Sequence, residues 1–373
     1  NTAFATGVGL YNFTAVYEGS FRPKESGAYE LLIEGDDGYR VYVNGEKVID
    51  YWGEHASAKR DYTLKATAGT DYKIRIEYMQ AGAEALLRFD LGIYRHISPE
   101  MVVDRVKEAD IVIFAGGISP SLEGEEMYSV NSPGFAGGDR TSIELPQVQR
   151  DILKALKKAG KKVVFVNCSG SAVALVPEME SCDAILQAWY PGQSGGLAVA
   201  DVLFGDFKPS GKLPVTFYKN TDQLPDFEDY SMKNRTYRYM TEVPLFPFGY
   251  GLSYTTFDIS KGRLNKKTIS AGQDLNFKVN VKNTGKYDGA EVIQVYVRKV
   301  DDAEGPIKSL RAFRRVPLKA GETCVVSIDL LPTTFEFFDP TTNTMRIMPG
   351  KYEIMYGNSS DIPSGNKLSV TLR

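Results

Sequence analysis

The amino-acid sequence predicts a mixed α/β and all-β protein, with one all-β region on each side of an α/β region. Alternating apolar and polar residues, the pattern of antiparallel strands, dominate the first and last stretches. Between them, continuous apolar runs alternate with helical spacing, as in a parallel sheet covered on both faces. The 373 residues exceed one ordinary domain and are enough for two or three.

Residues 1–96 are predicted to form an antiparallel β-sandwich. Residues alternate strictly over Tyr72–Tyr78 and over Tyr39–Val43, and Asn44–Gly45 then predicts a tight hairpin turn. Asp36–Gly38 is a second turn signal. Its two carboxylates could also bind Ca²⁺, although a turn is the more frequent reason for Asp-Asp-Gly.

Residues 97–218 are predicted to form an α/β domain. A helix begins near Pro146, and its predicted buried face consists of Val148, Ile152, Leu153 and Leu156. The predicted strands are 111–115, 162–166 and 184–188, and further helices cover 101–109 and 196–204. Since sites in parallel sheets lie beyond the carboxyl ends of the strands, one rim is expected to hold three segments. These are 116–126, 167–171 and 189–194.

Residues 219–256 are rich in Tyr, Pro and Gly and are expected to form an irregular linker. From residue 257 to residue 373 the alternation returns, for example over Phe277–Val281 and Val292–Val297. Asn283–Gly285 and Lys319–Gly321 are turn signals between strands. Regular strand spacing favours an immunoglobulin-like or fibronectin-III-like sandwich.

Composition excludes several classes of protein. With 43% apolar and 24% charged residues, the chain is typical of a folded soluble protein, and no apolar run is long enough for a membrane span. A net charge of −3 without a basic block argues against a nucleic-acid partner. Three cysteines and two histidines fit neither a disulfide framework nor a His-based hydrolase, which leaves carboxylates as the expected catalytic groups. A start at Asn1 without a signal-peptide pattern indicates a fragment or a processed product.

The segment with the most candidate catalytic groups is Leu122–Glu126. It carries three carboxylates and follows the strand that ends at Gly116–Gly117. Neighbouring carboxylates raise one another's pKa, and a carboxyl group with a raised pKa suits general acid catalysis. A solvated acidic loop is the alternative interpretation. Asp139–Arg140 could bind a sugar hydroxyl or orient a carboxylate, or could form an ion pair before the helix. Asn167–Ser171 is interpreted as a structural turn.

An ordered series of motifs from residue 97 to the end resembles the C-terminal part of glycoside hydrolase family 3, of the β-xylosidase and β-glucosidase type. The motifs are Glu123–Glu125 followed by Asp139–Arg140, Ala188–Gly196, Gly205–Thr216, Phe246–Phe257, and Asn283–Gly285 with Gly289–Val292. The resemblance implies an α/β sandwich with an acid/base loop, followed by a fibronectin-III-like domain. Residues 1–96 resemble a protective-antigen-type (PA-14) module, through Ser26–Tyr29 and Asp36–Gly45. In some family members this module is inserted into the α/β sandwich.

The resemblance implies a retaining exo-β-glycosidase that acts on β-xylosides or β-glucosides. Glu125 is the expected acid/base, with Glu123 and Glu126 as alternatives, while Asp139 and Arg140 are expected to bind substrate. No metal or organic cofactor is implied. The nucleophile is expected to be an Asp in a barrel domain upstream, so the chain alone is expected to be inactive. A periplasmic or extracellular location is expected, and a non-catalytic carbohydrate-binding or adhesion protein is the alternative function.

Overall fold

A computed structural model describes residues 6–82, 85–93, 97–123, 132–136 and 139–373 of the chain. The chain divides into two compact units, Asn1–Ile97 and Ser98–Arg373. Both consist mostly of sheets with few helices, as the sequence predicts.

The first unit contains two antiparallel sheets, with strand orders β1-β6-β3-β4 and β5-β2-β7. The strands are β1 (Phe13–Phe21), β2 (Gly27–Asp36), β3 (Tyr39–Val43), β4 (Glu46–Tyr51), β5 (Ala58–Ala66), β6 (Tyr72–Gln80) and β7 (Leu86–Gly92). Both sheets contribute to one hydrophobic cluster, for example through Leu31 of β2 and Val41 of β3.

The hairpin predicted at Asn44–Gly45 is confirmed, because both residues have positive φ angles, of 51° and 84°. Such angles suit Asn and Gly and match the twist of the paired strands β3 and β4. The alternation predicted for β6 is also confirmed, since Ile74, Ile76 and Tyr78 are buried.

The second unit begins with an α/β region around a three-stranded parallel sheet of order β12-β11-β8. Its elements are α1 (Pro99–Arg105), β8 (Ile111–Gly117), α2 (Pro120–Glu123), β9 (Phe135–Ala136), β10 (Asp139–Arg140), α3 (Gln147–Lys158), β11 (Lys162–Cys168), α4 (Val176–Ser181), β12 (Ala184–Gln187) and α5 (Gly195–Phe204). Helix α3 packs against this region through Leu153 and Leu156, which are fully buried. The predicted burial of Val148 is wrong: it is 53% exposed, because it lies in the first turn, before the helix reaches the core.

The described residues alone do not cover both faces of this sheet, in contrast to the expectation from the sequence. Strand β8 lies at an edge of the sheet, and Ile111 and Ile113, on one of its faces, are 56% and 53% exposed. Helix α5 is strongly apolar but leaves Leu197 and Phe204 67% and 82% exposed. Local sequence shows that these faces are apolar but does not show what covers them.

Residues 219–256 contain two short helical turns, η1 (Thr221–Gln223) and α6 (Thr236–Tyr239). The following region has two main sheets, of orders β13-β15-β18 and β14-β22-β21-β16-β17, and the hairpin β19-β20. Its elements are β13 (Phe257–Leu264), β14 (Thr268–Ile269), β15 (Leu275–Asn283), β16 (Gly289–Lys299), β17 (Ser309–Leu318), β18 (Thr323–Leu330), η2 (Pro332–Phe335), β19 (Glu336–Asp339), β20 (Thr344–Ile347), β21 (Gly350–Gly357) and β22 (Lys367–Leu372). Both main sheets contribute to one hydrophobic core.

The irregular segment packs on the outer side of strand β16. Gln294 donates hydrogen bonds from Nε2 to the carbonyl oxygens of Gly249 (3.0 Å) and Asn358 (2.7 Å). The hydroxyl of Tyr296 donates to Gln294 Oε1 at 2.5 Å, and the ring of Tyr237 meets that of Tyr296 edge-on. Because these polar groups satisfy one another, β16 is buried on both faces.

Glu144 connects the α/β region to the irregular segment. Its carboxylate accepts hydrogen bonds from the backbone N–H (2.9 Å) and hydroxyl (2.6 Å) of Thr221 and from the hydroxyl of Ser142. Burial alone would raise the pKa of Glu144, but these hydrogen bonds outweigh it and lower the pKa from its usual 4.5 to about 2. Glu144 therefore contributes stability that is present above pH 4.5 and is lost as the pH falls towards 2.

We expect Glu144→Gln to lower the free energy of unfolding at pH 7 by about 1–3 kcal/mol, because charge-assisted hydrogen bonds become neutral ones. The deficit should shrink as the pH falls from 4.5 towards 2, because the Glu144 carboxylate of the unfolded wild-type chain gains a proton at its usual pKa of 4.5, before that of the folded protein. Urea unfolding at pH 7 and pH 3 measures both effects. Glu180→Gln, on the exposed side of α4, is the matched control and should change neither value. An equal deficit at both pH values would contradict the assignment.

Candidate active site

Parallel pairing brings the ends of three strands to one edge of the sheet. Gly117 at the end of β8 lies beside Cys168 at the end of β11, and Asn167 lies beside Gln187 at the end of β12. The segments that follow these strands therefore leave the sheet side by side, as predicted for the rim.

The turn after β8 requires glycine at position 117. Gly117 has φ 123°, and a Cβ there would lie 1.9 Å from the carbonyl oxygen of Cys168. The side-chain amide of Gln149, on α3, accepts from the Gly117 N–H (2.8 Å) and donates to its carbonyl (2.7 Å). The glycine at position 117 is thus explained by the close approach of two strands, and the amide of Gln149 fixes the turn.

A buried polar network holds the turn after β11. Asn167 donates from Nδ2 to Gln187 Oε1 (2.7 Å), and the hydroxyl of Ser169 donates to the carbonyl of Ser171 (2.9 Å). Asn167 and Ser169 are fully buried, so these bonds fix the local backbone. Ser171 is thereby presented at the rim.

Glu123, at the end of α2, receives hydrogen-bond donors from both other strand ends. The hydroxyl of Tyr190 lies 3.1 Å from Glu123 Oε2 and 3.0 Å from the carbonyl oxygen of Ile118. The hydroxyl of Ser171 lies 3.4 Å from Glu123 Oε1. Burial raises the pKa of Tyr190, and so do its hydrogen bond to Glu123 and the negative charge there. Gly170 leaves room for the Tyr190 ring, because a Cβ there would lie 2.6 Å from it.

Arg140 is joined to Glu123 through Ser171, and Glu123, Ser171, Tyr190 and Arg140 are called the Glu123 group below. The Nη1 of Arg140 donates to Ser171 Oγ (2.9 Å), and its Nε donates to the carbonyl of Ser142 (3.2 Å). Burial lowers the pKa of Arg140, while the charges of Glu123 and Glu144 oppose this effect. Its Nη2 is buried and has no hydrogen-bond partner among the described residues. This donor is therefore available to a ligand or to another segment of protein.

The structure describes the positions of part of the residue set expected from the sequence. It brings Glu123 and Arg140 together through Ser171, whereas Glu125 and Glu126 lie outside the described residues. Asp139 pairs through its backbone with Ala136 of β9, and its exposed carboxylate forms no hydrogen bond or ion pair with the described residues. The roles of Ser171 and Tyr190 were missed, although both directly follow carboxyl ends of parallel strands, which is the signal that could have identified them.

The Asp36–Gly38 turn has a structural explanation. Asp37 is buried, and its carboxylate accepts hydrogen bonds from the backbone N–H groups of His55 (3.0 Å), Ala81 (2.7 Å) and Gly82 (3.4 Å). Burial would raise the pKa of Asp37, but these bonds lower it below its usual value.

Among described residues, no three His, Cys, Asp or Glu side chains are grouped to hold a metal ion. None of the described helices is long and apolar enough to cross a membrane.

The Glu123 group combines a carboxylate, a phenol, a serine hydroxyl and a buried guanidinium with a free donor. Such a set can orient a ligand rich in hydroxyl groups and can support proton transfer by a nearby carboxyl.

Several known proteins resemble this chain. A xylan 1,4-beta-xylosidase from Xylanibacter ruminicola is 51% identical over 99% of the chain and 42% of that protein. A periplasmic beta-glucosidase from Salmonella typhimurium is 38% identical over 70% of the chain and 35% of that protein. The crystal structure of a beta-glucosidase from Kluyveromyces marxianus in complex with glucose has a TM-score of 0.74 and 28% identity, and covers 96% of the chain and 44% of that structure. The chain thus spans less than half the length of each.

Two family models match the chain. The fibronectin type III-like domain matches residues 291–360. The glycosyl hydrolase family 3 C-terminal domain matches residues 36–254, more than half of the chain. The chain therefore belongs to glycosyl hydrolase family 3.

Proposed function

We propose that this chain supplies the acid/base part of the active site of a retaining exo-β-glycosidase. The observation that carries this proposal is the Glu123 group at the carboxyl edge of the parallel sheet, where the acidic sequence 123–126 begins. A carboxylate, two hydroxyl donors and a free guanidinium donor meet there. The relatives named above, which are glycosidases, support the same chemistry.

In the proposed mechanism, Glu125 is the acid/base residue, and Glu123 and Glu126 are the alternatives. An Asp of a barrel domain attacks the anomeric carbon and breaks the glycosidic bond, while Glu125 gives its proton to the leaving oxygen. Glu125 then takes a proton from water, which attacks the glycosyl-enzyme and releases the sugar. The two carboxyl groups must lie about 5–5.5 Å apart, so the rim has to dock at the mouth of the barrel.

Exposed apolar surface supports the presence of further protein segments. Parallel sheets normally have both faces covered, whereas Ile111 and Ile113 of β8 are more than half exposed. We propose that upstream elements of the α/β sandwich cover this face and that the barrel belongs to the same protein. Both proposals agree with the comparison, because the chain covers only 42% of the length of the Xylanibacter relative.

We propose a β-linked oligosaccharide as substrate, cleaved from a chain end as a xyloside or a glucoside. Arg140 is proposed to bind sugar hydroxyls through its free Nη2, with Asp139 as a second contact. The relative at 51% identity is named a xylosidase, while the Salmonella and Kluyveromyces proteins are named glucosidases. No metal or organic cofactor takes part in this mechanism.

The domain organisation proposed for the chain has four parts. Residues 1–96 are a protective-antigen-type (PA-14) module, which the two antiparallel sheets around one core support. Residues 97–218 are the C-terminal portion of the α/β sandwich, 219–256 an irregular linker, and 257–373 the fibronectin-III-like domain. A periplasmic or extracellular location is proposed, supported by the name of the Salmonella relative.

In the barrel-containing parent protein, Glu125→Ala should lower kcat by about 10²–10⁴-fold on alkyl or natural glycosides, because these leaving groups need a proton. The loss should be much smaller on activated aryl glycosides, and added azide should rescue their turnover by replacing base-activated water. Steady-state kinetics on a good and a poor leaving group measures both effects.

Glu123→Ala and Glu126→Ala are the matched variants for this experiment. If Glu123→Ala shows the leaving-group dependence and azide rescue instead, then Glu123 is the acid and Tyr190 and Ser171 hold it directly. If none of the three variants shows either effect, the acid/base function of the loop is wrong.

The chain alone should release no aryl product from aryl β-xylosides or β-glucosides. Double displacement needs a nucleophile as well as an acid/base, and the proposal places the nucleophile in the barrel. The measurement is release of nitrophenol by the purified chain, with the parent protein as positive control. Turnover comparable to that of the parent would contradict this division of roles.

A further inference from the structure

A cavity lies within the second unit, between the irregular segment 219–256 and the fibronectin-III-like region. Its volume is about 650 Å³, within the usual range for small-molecule sites. One wall is formed by residues 240–245 and 247. The other wall is formed by residues of strands β16, β21 and β22 and by the segments 307–308 and 360–362. It shares no lining residue with the Glu123 group.

Hydrogen bonds fix the two walls relative to each other. The backbone N–H of Ile307 donates to the carbonyl of Arg238 (2.8 Å), and that of Ser360 donates to the carbonyl of Phe248 (2.8 Å). Within the second wall, Lys308 donates from Nζ to the carbonyl of Ser360 (2.5 Å) and so joins the segments 307–308 and 360–362. The cavity is therefore preformed by tertiary contacts, which lowers the entropic cost of binding.

The charges in the lining compensate one another. The lining contains three cationic residues, Arg298, Lys308 and Lys367, and three anionic residues, Glu242, Glu353 and Asp361. Glu353 pairs with Lys367 at 3.5 Å and lies opposite Arg298 in the strand register. A lining without excess charge favours a neutral ligand over an anion or a cation.

The remaining lining is apolar, with one unpartnered hydroxyl. Pro244, Leu245 and Met355 provide apolar surface. Thr216 also lines the cavity, is 7% exposed, and its Oγ1 has no hydrogen-bond partner among the described residues. Oγ1 is itself buried in the structure, so it would meet a ligand hydroxyl after a χ1 rotation that exchanges it with the methyl group. A sugar ring matches this lining, because it presents both C–H faces and hydroxyl groups and carries no charge.

We propose that this cavity binds a neutral mono- or disaccharide, as a site separate from the candidate active site. Lys308 and the carboxylates would contact hydroxyl groups, while Pro244 and Met355 would pack on the ring. The ligand class is assigned from the charge and the lining of the cavity, and binding at this site requires no catalysis.

The test is calorimetric and ligand-observed NMR titration of the 373-residue chain with xylobiose and with cellobiose. We expect millimolar or tighter binding of at least one of them. Thr216→Val keeps the shape of the side chain and removes only the hydroxyl, and it should weaken binding about five- to tenfold. Val243→Trp, at the cavity mouth, where the valine is 72% exposed, should weaken it further by blocking entry.

Two controls separate this site from other sites. Val325→Trp places the same ring on an exposed position of β18 outside the cavity and should leave binding unchanged. Arg140→Met removes the free donor of the Glu123 group and should also leave binding at the cavity unchanged. The proposal is overturned if neither sugar shows binding at sugar concentrations up to 10 mM. It is also overturned if Arg140→Met abolishes binding while the Val243→Trp variant still binds. Preference for glucuronic acid over both neutral sugars would also overturn it.

Discussion

The parallel pairing of β8, β11 and β12 is the constraint on which the candidate active site depends. It brings Gly117 beside Cys168 and Asn167 beside Gln187, so that three segments distant in sequence begin at one edge. Glycine is required where the strand ends approach each other, and the amide of Gln149 fixes the resulting turn. Without this register, Glu123 would have neither Ser171 nor Tyr190 as a neighbour.

Further contacts join the α/β region of the second unit to the irregular segment and to β16. Glu144 connects the segment that carries Arg140 to Thr221, and Gln294 and Tyr296 connect the irregular segment to β16. Lys212 adds an ion pair with Glu291 of β16 at 2.7 Å, in which both side chains are largely buried. Breaking such a pair leaves an uncompensated buried charge, which is costly. These contacts explain why residues 98–373 form one compact unit.

Sequence patterns predicted the local structure well, because a strand or helix records its own periodicity. Tyr72–Tyr78, Asn44–Gly45 and the three parallel strands are examples. Patterns could not show that Ile111 is exposed, because the coverage of a strand face depends on distant segments, nor that the first turn of α3, with Val148, lies outside the core. The segment 189–194 was expected at the same rim as 116–126, but the contact of Tyr190 with Glu123, 67 residues away in sequence, was missed, because strand ends alone do not specify which side chains meet. The saccharide cavity likewise has walls from separate regions and no sequence motif.

The central claim is that catalysis is divided, with the acid/base in this chain and the nucleophile in another domain of the parent protein. Labelling the parent with a 2-deoxy-2-fluoro glycoside traps the glycosyl-enzyme, and peptide mapping then identifies the nucleophile. The label should lie on an Asp outside these 373 residues. A label on Glu123, Glu125 or any other residue of this chain would contradict the claim.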